Sequence, residues 1–152
     1  MRKAFLSVLA AAAFLLLDFG YAHDEGHGPK LTDTGKYGGL VPPVVKKADA
    51  GLGAKAKLVH KAELARSGDG SVRVYLYDEL MKPLDLKSFE SKATAKLAAK
   101  VKGKWKESSF QLEVANGAFV GKMPKPEGKP YNIDVHLKAS GTELLSAFDN
   151  LD

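Results

Sequence analysis

The chain has 152 residues, no cysteine, 45% hydrophobic residues and a formal net charge of +5 from 23 basic and 18 acidic side chains. The missing cysteines exclude a disulfide-stapled scaffold and a lipoprotein anchored through an N-terminal cysteine, so an apolar core must supply the stability. A modest positive charge, carried by lysines spread along the chain with no aromatic–basic platform, argues against nucleic acid as a partner.

Residues 1–22 read as a cleavable signal peptide. Arg2 and Lys3 form a cationic start, Phe5 to Leu17 an apolar run interrupted only by Ser7, and Gly20 and Ala22 are small residues suited to a cleavage site before His23. The apolar run is shorter than the about 20 residues that span a bilayer. A polar stretch, His23-Asp24-Glu25-Gly26-His27-Gly28-Pro29, follows where a membrane anchor carries a basic flank. The expectation is an exported protein, periplasmic or secreted, with no transmembrane segment after cleavage. About 130 residues then remain, enough for one domain. Loss of Arg2, Lys3 and Asp18 lowers the net charge by only one.

Residues 23–53 are expected to form a flexible leader containing Gly, Pro and His, with Gly38-Gly39 and Pro42-Pro43 as breakers. Its run Leu40-Val41-Pro42-Pro43-Val44-Val45 suits the edge of a sheet, where proline is tolerated. Residues 54–152 are expected to fold as the domain. Lys57 to Ala65 is strand-like. Val72, Val74 and Leu76 alternate with Arg73, Tyr75 and Tyr77, which predicts a second strand, and Asp78 to Pro83 the turn after it. Leu84 to Phe89 is a short connection or strand.

Ala93, Ala95, Leu97, Ala99 and Val101 alternate with Lys92, Thr94, Lys96, Ala98 and Lys100. Alanine and lysine favour helices, but a helix would scatter these lysines around its circumference, so the period predicts a strand. Trp105 to Val114 is another strand, joined through the tight turn Asn116-Gly117 to a partner over Ala118 to Met123. Tyr131, Ile133, Val135 and Leu137 then face one way, with Asn132, Asp134, His136 and Lys138 the other. Thr142 to Asp152 reads as a closing strand or a short helix. Six or seven half-polar strands separated by turn signals predict a mostly β fold, an antiparallel β-sandwich of immunoglobulin-like architecture.

The chemistry-bearing residues gather at the expected new N-terminus. His23 there offers an α-amine and an imidazole that can chelate one ion in a compact ring, and Asp24, Glu25 and His27 add donors within four residues. This donor set suits copper or zinc better than calcium or magnesium, which prefer oxygen alone. His136 stands two residues from Asp134 on the polar face of its strand, a spacing at which a carboxylate can orient a metal-ligating imidazole; the competing reading is a solvated strand face. His60 shares a face with Leu58, Ala62 and Leu64, as a partly buried histidine or a ligand. No cysteine nucleophile, Gly-x-Ser-x-Gly elbow or phosphate-cradling glycine loop appears, so the chain is not expected to be an enzyme, an oxidative copper enzyme using His23 being the conceivable exception.

Gly26-His27-Gly28-Pro29-Lys30 and Lys36-Tyr37-Gly38-Gly39-Leu40-Val41, together with Val72-Arg73-Val74-Tyr75-Leu76-Tyr77-Asp78 and Lys82-Pro83-Leu84-Asp85, resemble small bacterial periplasmic proteins of unknown function. In those proteins a His-rich leader runs into a Lys-His-Gly-Gly-Val-Val-type motif. Related sequences sit near heavy-metal efflux systems, so the resemblance implies metal handling and an efflux component as partner. Tyr37 stands where that pattern has a histidine, which removes one nitrogen donor. A looser likeness, resting on His23, is to periplasmic copper carriers with an N-terminal histidine on a β-sandwich. Two readings follow: an exported protein that binds or chaperones copper or zinc, or a metal-free module that binds another envelope protein through a sheet edge.

Overall fold

A computed structural model describes residues 27–152. The expected signal peptide, and His23, Asp24 and Glu25 with it, lie outside the described residues. Eight strands follow one another: β1 (Pro43–Lys46), β2 (His60–Arg66), β3 (Ser71–Tyr77), β4 (Lys92–Val101), β5 (Lys104–Ala115), β6 (Ala118–Lys122), β7 (Tyr131–Ala139) and β8 (Thr142–Leu151). Two 3-10 segments, Lys47–Lys55 and Leu86–Ser88, sit in the connections after β1 and β3.

The strands close into one antiparallel barrel in the order β1-β2-β3-β6-β5-β4-β7-β8. This corrects the expected immunoglobulin-like β-sandwich. Period-2 patterning says only that each strand has a wet and a dry face, which a sandwich and a barrel share. The distinction lies in whether the terminal strands join. They do, through β1, which pairs with β2 (Val44 opposite His60) and with β8 (Val44 opposite Ser146, Val45 opposite Leu145). Val44 and Val45 are both fully buried, so this short strand is apolar on both faces. It falls inside the 23–53 stretch that reads in sequence as a leader: the barrel begins at Pro43.

Hairpin turns set the remaining register. Lys102-Gly103, Asn116-Gly117 and Ser140-Gly141 each place two consecutive residues at positive φ, between Val101 and Lys104, Ala115 and Ala118, and Ala139 and Thr142. Positive φ at both central positions is the type I′ condition, whose twist matches that of the strands it joins. The strand reading of Lys92 to Val101 agrees with β4, and the final ten residues resolve as strand. Burying one face of β4 outweighs the helix preference of its alanines and lysines.

The barrel interior is filled by side chains, including Val72, Val74, Leu76, Leu97, Leu112, Phe119, Ile133, Val135 and Phe148. Alanines 62, 93, 95 and 99 on the same face leave room for the aromatic rings. At one end Leu86 and Phe89 plug the mouth, with Phe89 edge-on to Phe119 at 6.2 Å. At the other, Arg66 donates to the Tyr131 hydroxyl and to the Asp152 carbonyl.

Candidate functional site

The segment before β1 lies against the outer face of β2 and is held by one carboxylate. Ala62 and Leu64 point inward, so Glu63 projects outward, yet it is fully buried. Its Oε1 accepts the backbone N–H groups of Tyr37 at 2.7 Å and Gly39 at 3.0 Å; its Oε2 accepts the N–H of Lys36 at 2.8 Å and the Tyr77 hydroxyl at 2.7 Å. Four donors converge on two oxygens, which is how a buried carboxylate is kept ionised. Burial alone would raise the Glu63 pKa, but the bonds from Tyr77, Gly39, Tyr37 and Lys36 together hold it below the usual glutamate value.

Gly35 and Gly39 are spacers. A Cβ on Gly35 would lie 2.3 Å from Glu63 Oε1, and one on Gly39 2.3 Å from the Leu64 carbonyl oxygen. Around the clasp, the Tyr37 ring stacks on Tyr75 at 4.0 Å, the Lys36 ammonium sits 5.5 Å from the Tyr77 ring centre, and Lys61 pairs with Asp33 at 2.7 Å. Position 37, set apart in the sequence as the missing histidine, thus uses its backbone for the carboxylate and its ring for packing.

Between this segment and β8 runs a cleft of about 1080 Å³, lined in part by His27, Lys30, Asp33, Phe148, Asp149 and Asn150. It exists because β1 is short. β8 is paired with β1 only at Leu144, Leu145 and Ser146, and the chain before Pro43 diverges from it. His27 is fixed at the cleft wall: Nδ1 lies 2.9 Å from the Ala50 carbonyl oxygen, and the next residue, Gly28, donates its N–H to Gly53 at 2.8 Å. A carbonyl can only accept, so the proton sits on Nδ1. The Nε2 of the neutral ring then carries the lone pair.

The other candidate residues are not gathered there. His136 is half-buried on the outer face of β7, between Thr94 of β4 and Leu145 of β8, and its Nε2 has no hydrogen-bond partner among the described residues. Burial and the charges of Lys47 and Lys96 depress its pKa, against a smaller upward pull from Glu143. His60 faces inward at the plugged barrel mouth, its ring 5.8 Å from that of Phe89, and burial lowers its pKa. Among the described residues no group of three or more His, Cys, Asp or Glu is placed to hold a metal ion. No helix of the described residues is long and apolar enough to cross a membrane.

Sequence reasoning passed over Glu63. A glutamate alternating with Ala62 and Leu64 has the pattern of any solvated strand position. The only sequence signal was indirect: glycines such as those at 35 and 39 mark backbone that approaches something closely. Comparison with models of known families, with curated proteins and with solved structures gave no match to this chain.

Proposed function

We propose that this chain is an exported, periplasmic protein that binds copper or zinc where the N-terminal segment meets the barrel. His27 supplies one nitrogen, and His23, with Asp24 or Glu25, completes the ligand set. The observation that carries this reading is the hydrogen bond from His27 Nδ1 to the Ala50 carbonyl. A backbone carbonyl on one ring nitrogen orients the imidazole and directs metal to the other, as the outer partners of metal-bound histidines do. His136, opposite Leu145 on the outer face of β7, does not itself line the cleft and is left out of the ligand set.

The energetics favour a site at this place. Each residue that must be fixed to complete a site costs about 1–2 kcal/mol in backbone entropy. From His27 onward that cost is already met by the Glu63 clasp and the Gly28–Gly53 hydrogen bond. The partner class implied by the resemblance is a heavy-metal efflux component that receives the ion.

The test is calorimetric titration of Cu(II) and of Zn(II) into residues 23–152, with the free N-terminus at His23 verified by mass spectrometry. Sub-micromolar binding, weakened at least about tenfold by His27→Ala and by His23→Ala (roughly 1.4 kcal/mol or more each), is expected. Millimolar binding, or binding indifferent to both substitutions, overturns the reading.

A further inference from the structure

A second surface lies on the β4–β5 hairpin. β5 pairs with β4 along its length from Lys104 to Glu113 but with β6 only from Leu112 to Ala115, so its first half is a sheet edge. Every residue from Lys102 to Ser109 is exposed. The tight turn Lys102-Gly103 carries Lys100, Lys102, Lys104 and Lys106 at the end of the hairpin, and Trp105 stands opposite Lys100 in register. The connection from β6 to β7 packs beside it: Lys100 donates its N–H to the Pro130 carbonyl at 3.1 Å, Gly128 lies against the Lys100 carbonyl, and Lys106 pairs with Glu127. That connection adds the exposed Lys125 and Lys129. Six lysines face two acidic residues, Glu107 and Glu127, in this small region.

Lysine on a strand edge commonly guards against edge-to-edge pairing. That accounts for Lys104 and Lys106, which flank the edge. It does not account for Lys100, Lys102, Lys125 and Lys129, nor for a large indole among them that is 38% exposed. From this we infer that the hairpin end is a docking surface for an anionic phospholipid bilayer. Lysine ammoniums on flexible stems match a layer of phosphate headgroups, and tryptophan prefers the boundary between headgroups and acyl chains. A nucleic acid fits less well: the hairpin end has no arginine and a single aromatic ring rather than a stacking platform. The inference is independent of metal binding.

Trp105 is the only tryptophan of the chain, so its emission reports on this surface alone. Residues 23–152 serve as the sample, because the apolar run Phe5 to Leu17 would itself partition into lipid and the described residues 27–152 close a barrel around an apolar core. The chain is mixed with vesicles of equal parts phosphatidylglycerol and phosphatidylcholine, with vesicles of phosphatidylcholine alone, and with soluble polyphosphate. The expected result is binding to the mixed vesicles only, with a blue shift of Trp105 emission and loss of binding at high salt. Lys102→Gln with Lys104→Gln should weaken it by on the order of tenfold or more, since each lysine near an anionic surface contributes several-fold. Lys55→Gln with Lys57→Gln, also exposed but off this surface, should leave it unchanged. Equal binding to both vesicle types, unshifted emission at saturation, polyphosphate binding in place of vesicle binding, or an unaffected hairpin variant each overturns the inference.

Discussion

The Tyr77 hydroxyl donates a 2.7 Å hydrogen bond to Glu63 Oε2, and both side chains are almost wholly enclosed although both leave the barrel on its outer face. What encloses them is the segment before β1. Glu63→Ala removes the acceptor of four charge-assisted bonds and is expected to cost about 3 kcal/mol, with Tyr77→Phe costing about 1 kcal/mol. Hydrogen exchange should show the amides of Lys36, Tyr37 and Gly39 losing protection in Glu63→Ala while the amides of β7 keep theirs. Unchanged protection at those three positions would show that the carboxylate does not hold the segment.

The same carboxylate makes docking of the segment acid-sensitive. Its pKa is lowered in the fold from an ordinary value of 4.5, so its contribution is fully present above that value and is lost as pH falls through the lower folded one. Protection of Lys36, Tyr37 and Gly39 should therefore decline below about pH 4.5. Glu63→Gln, which cannot titrate, should abolish this pH dependence while lowering protection above about pH 4.5, where the parent chain carries the carboxylate.

Neighbouring glycines should differ in cost. Gly39→Ala drives a Cβ to 2.3 Å from a backbone oxygen, which cannot swing aside, and Gly35→Ala drives one into Glu63. Each is expected to destabilise by about 2–3 kcal/mol, in the range of overpacked positions. Gly38 has open space around it and only its φ of +78° to oppose a side chain, so Gly38→Ala should cost about 1–2 kcal/mol. Denaturant midpoints at constant slope would rank the three, and a Gly38→Ala cost equal to that of Gly39→Ala would contradict the close approach.

Two half-buried histidines tie stability to mildly acidic pH. His60 and His136 both have pKa values lowered from 6.5, His60 by burial and His136 by burial together with Lys47 and Lys96. A depressed folded value means that stability is fully present above 6.5 and falls as pH drops from there toward the folded values, because the unfolded chain binds protons first. The melting temperature should decrease between about pH 6.5 and 5. His136→Gln should flatten part of that slope. A slope unaffected by this substitution would place the linked protons elsewhere.

His136 also separates the metal reading from its alternatives. His136→Ala is expected to leave copper and zinc affinity within about twofold, less than 0.5 kcal/mol, of the parent chain. His27→Ala should not. The reverse pattern in calorimetry would move the ligand set to β7.

Much of the barrel was legible because alternation is a local property. Val72-Arg73-Val74-Tyr75-Leu76 and Tyr131 to Lys138 expose their two faces in the order of their letters, and Asn116-Gly117 announces its turn through the positive φ it tolerates. The lysine–alanine run of β4 was legible for the same reason once period was weighed above propensity. His60 fits its sequence reading as a partly buried histidine beside apolar neighbours, since its parity with Ala62 and Leu64 sets the face.

Closure of the barrel and burial of Glu63 were not legible, and the reason is shared. Both depend on where a short stretch before β2 comes to rest. Pro43–Lys46 looks like a sheet edge in isolation, and becomes the seam of a barrel only when β8, a hundred residues later, arrives at its free side. Glu63 looks solvated until Lys36, Tyr37 and Gly39 turn their N–H groups onto it. The order of residues therefore determined which strands form, where they turn and which face of each is apolar, because those follow from neighbours one to four positions away. The joining of first strand to last, the clasp on a buried carboxylate and the cleft beside His27 were decided by tertiary structure, because each is made of groups that meet only across the folded chain.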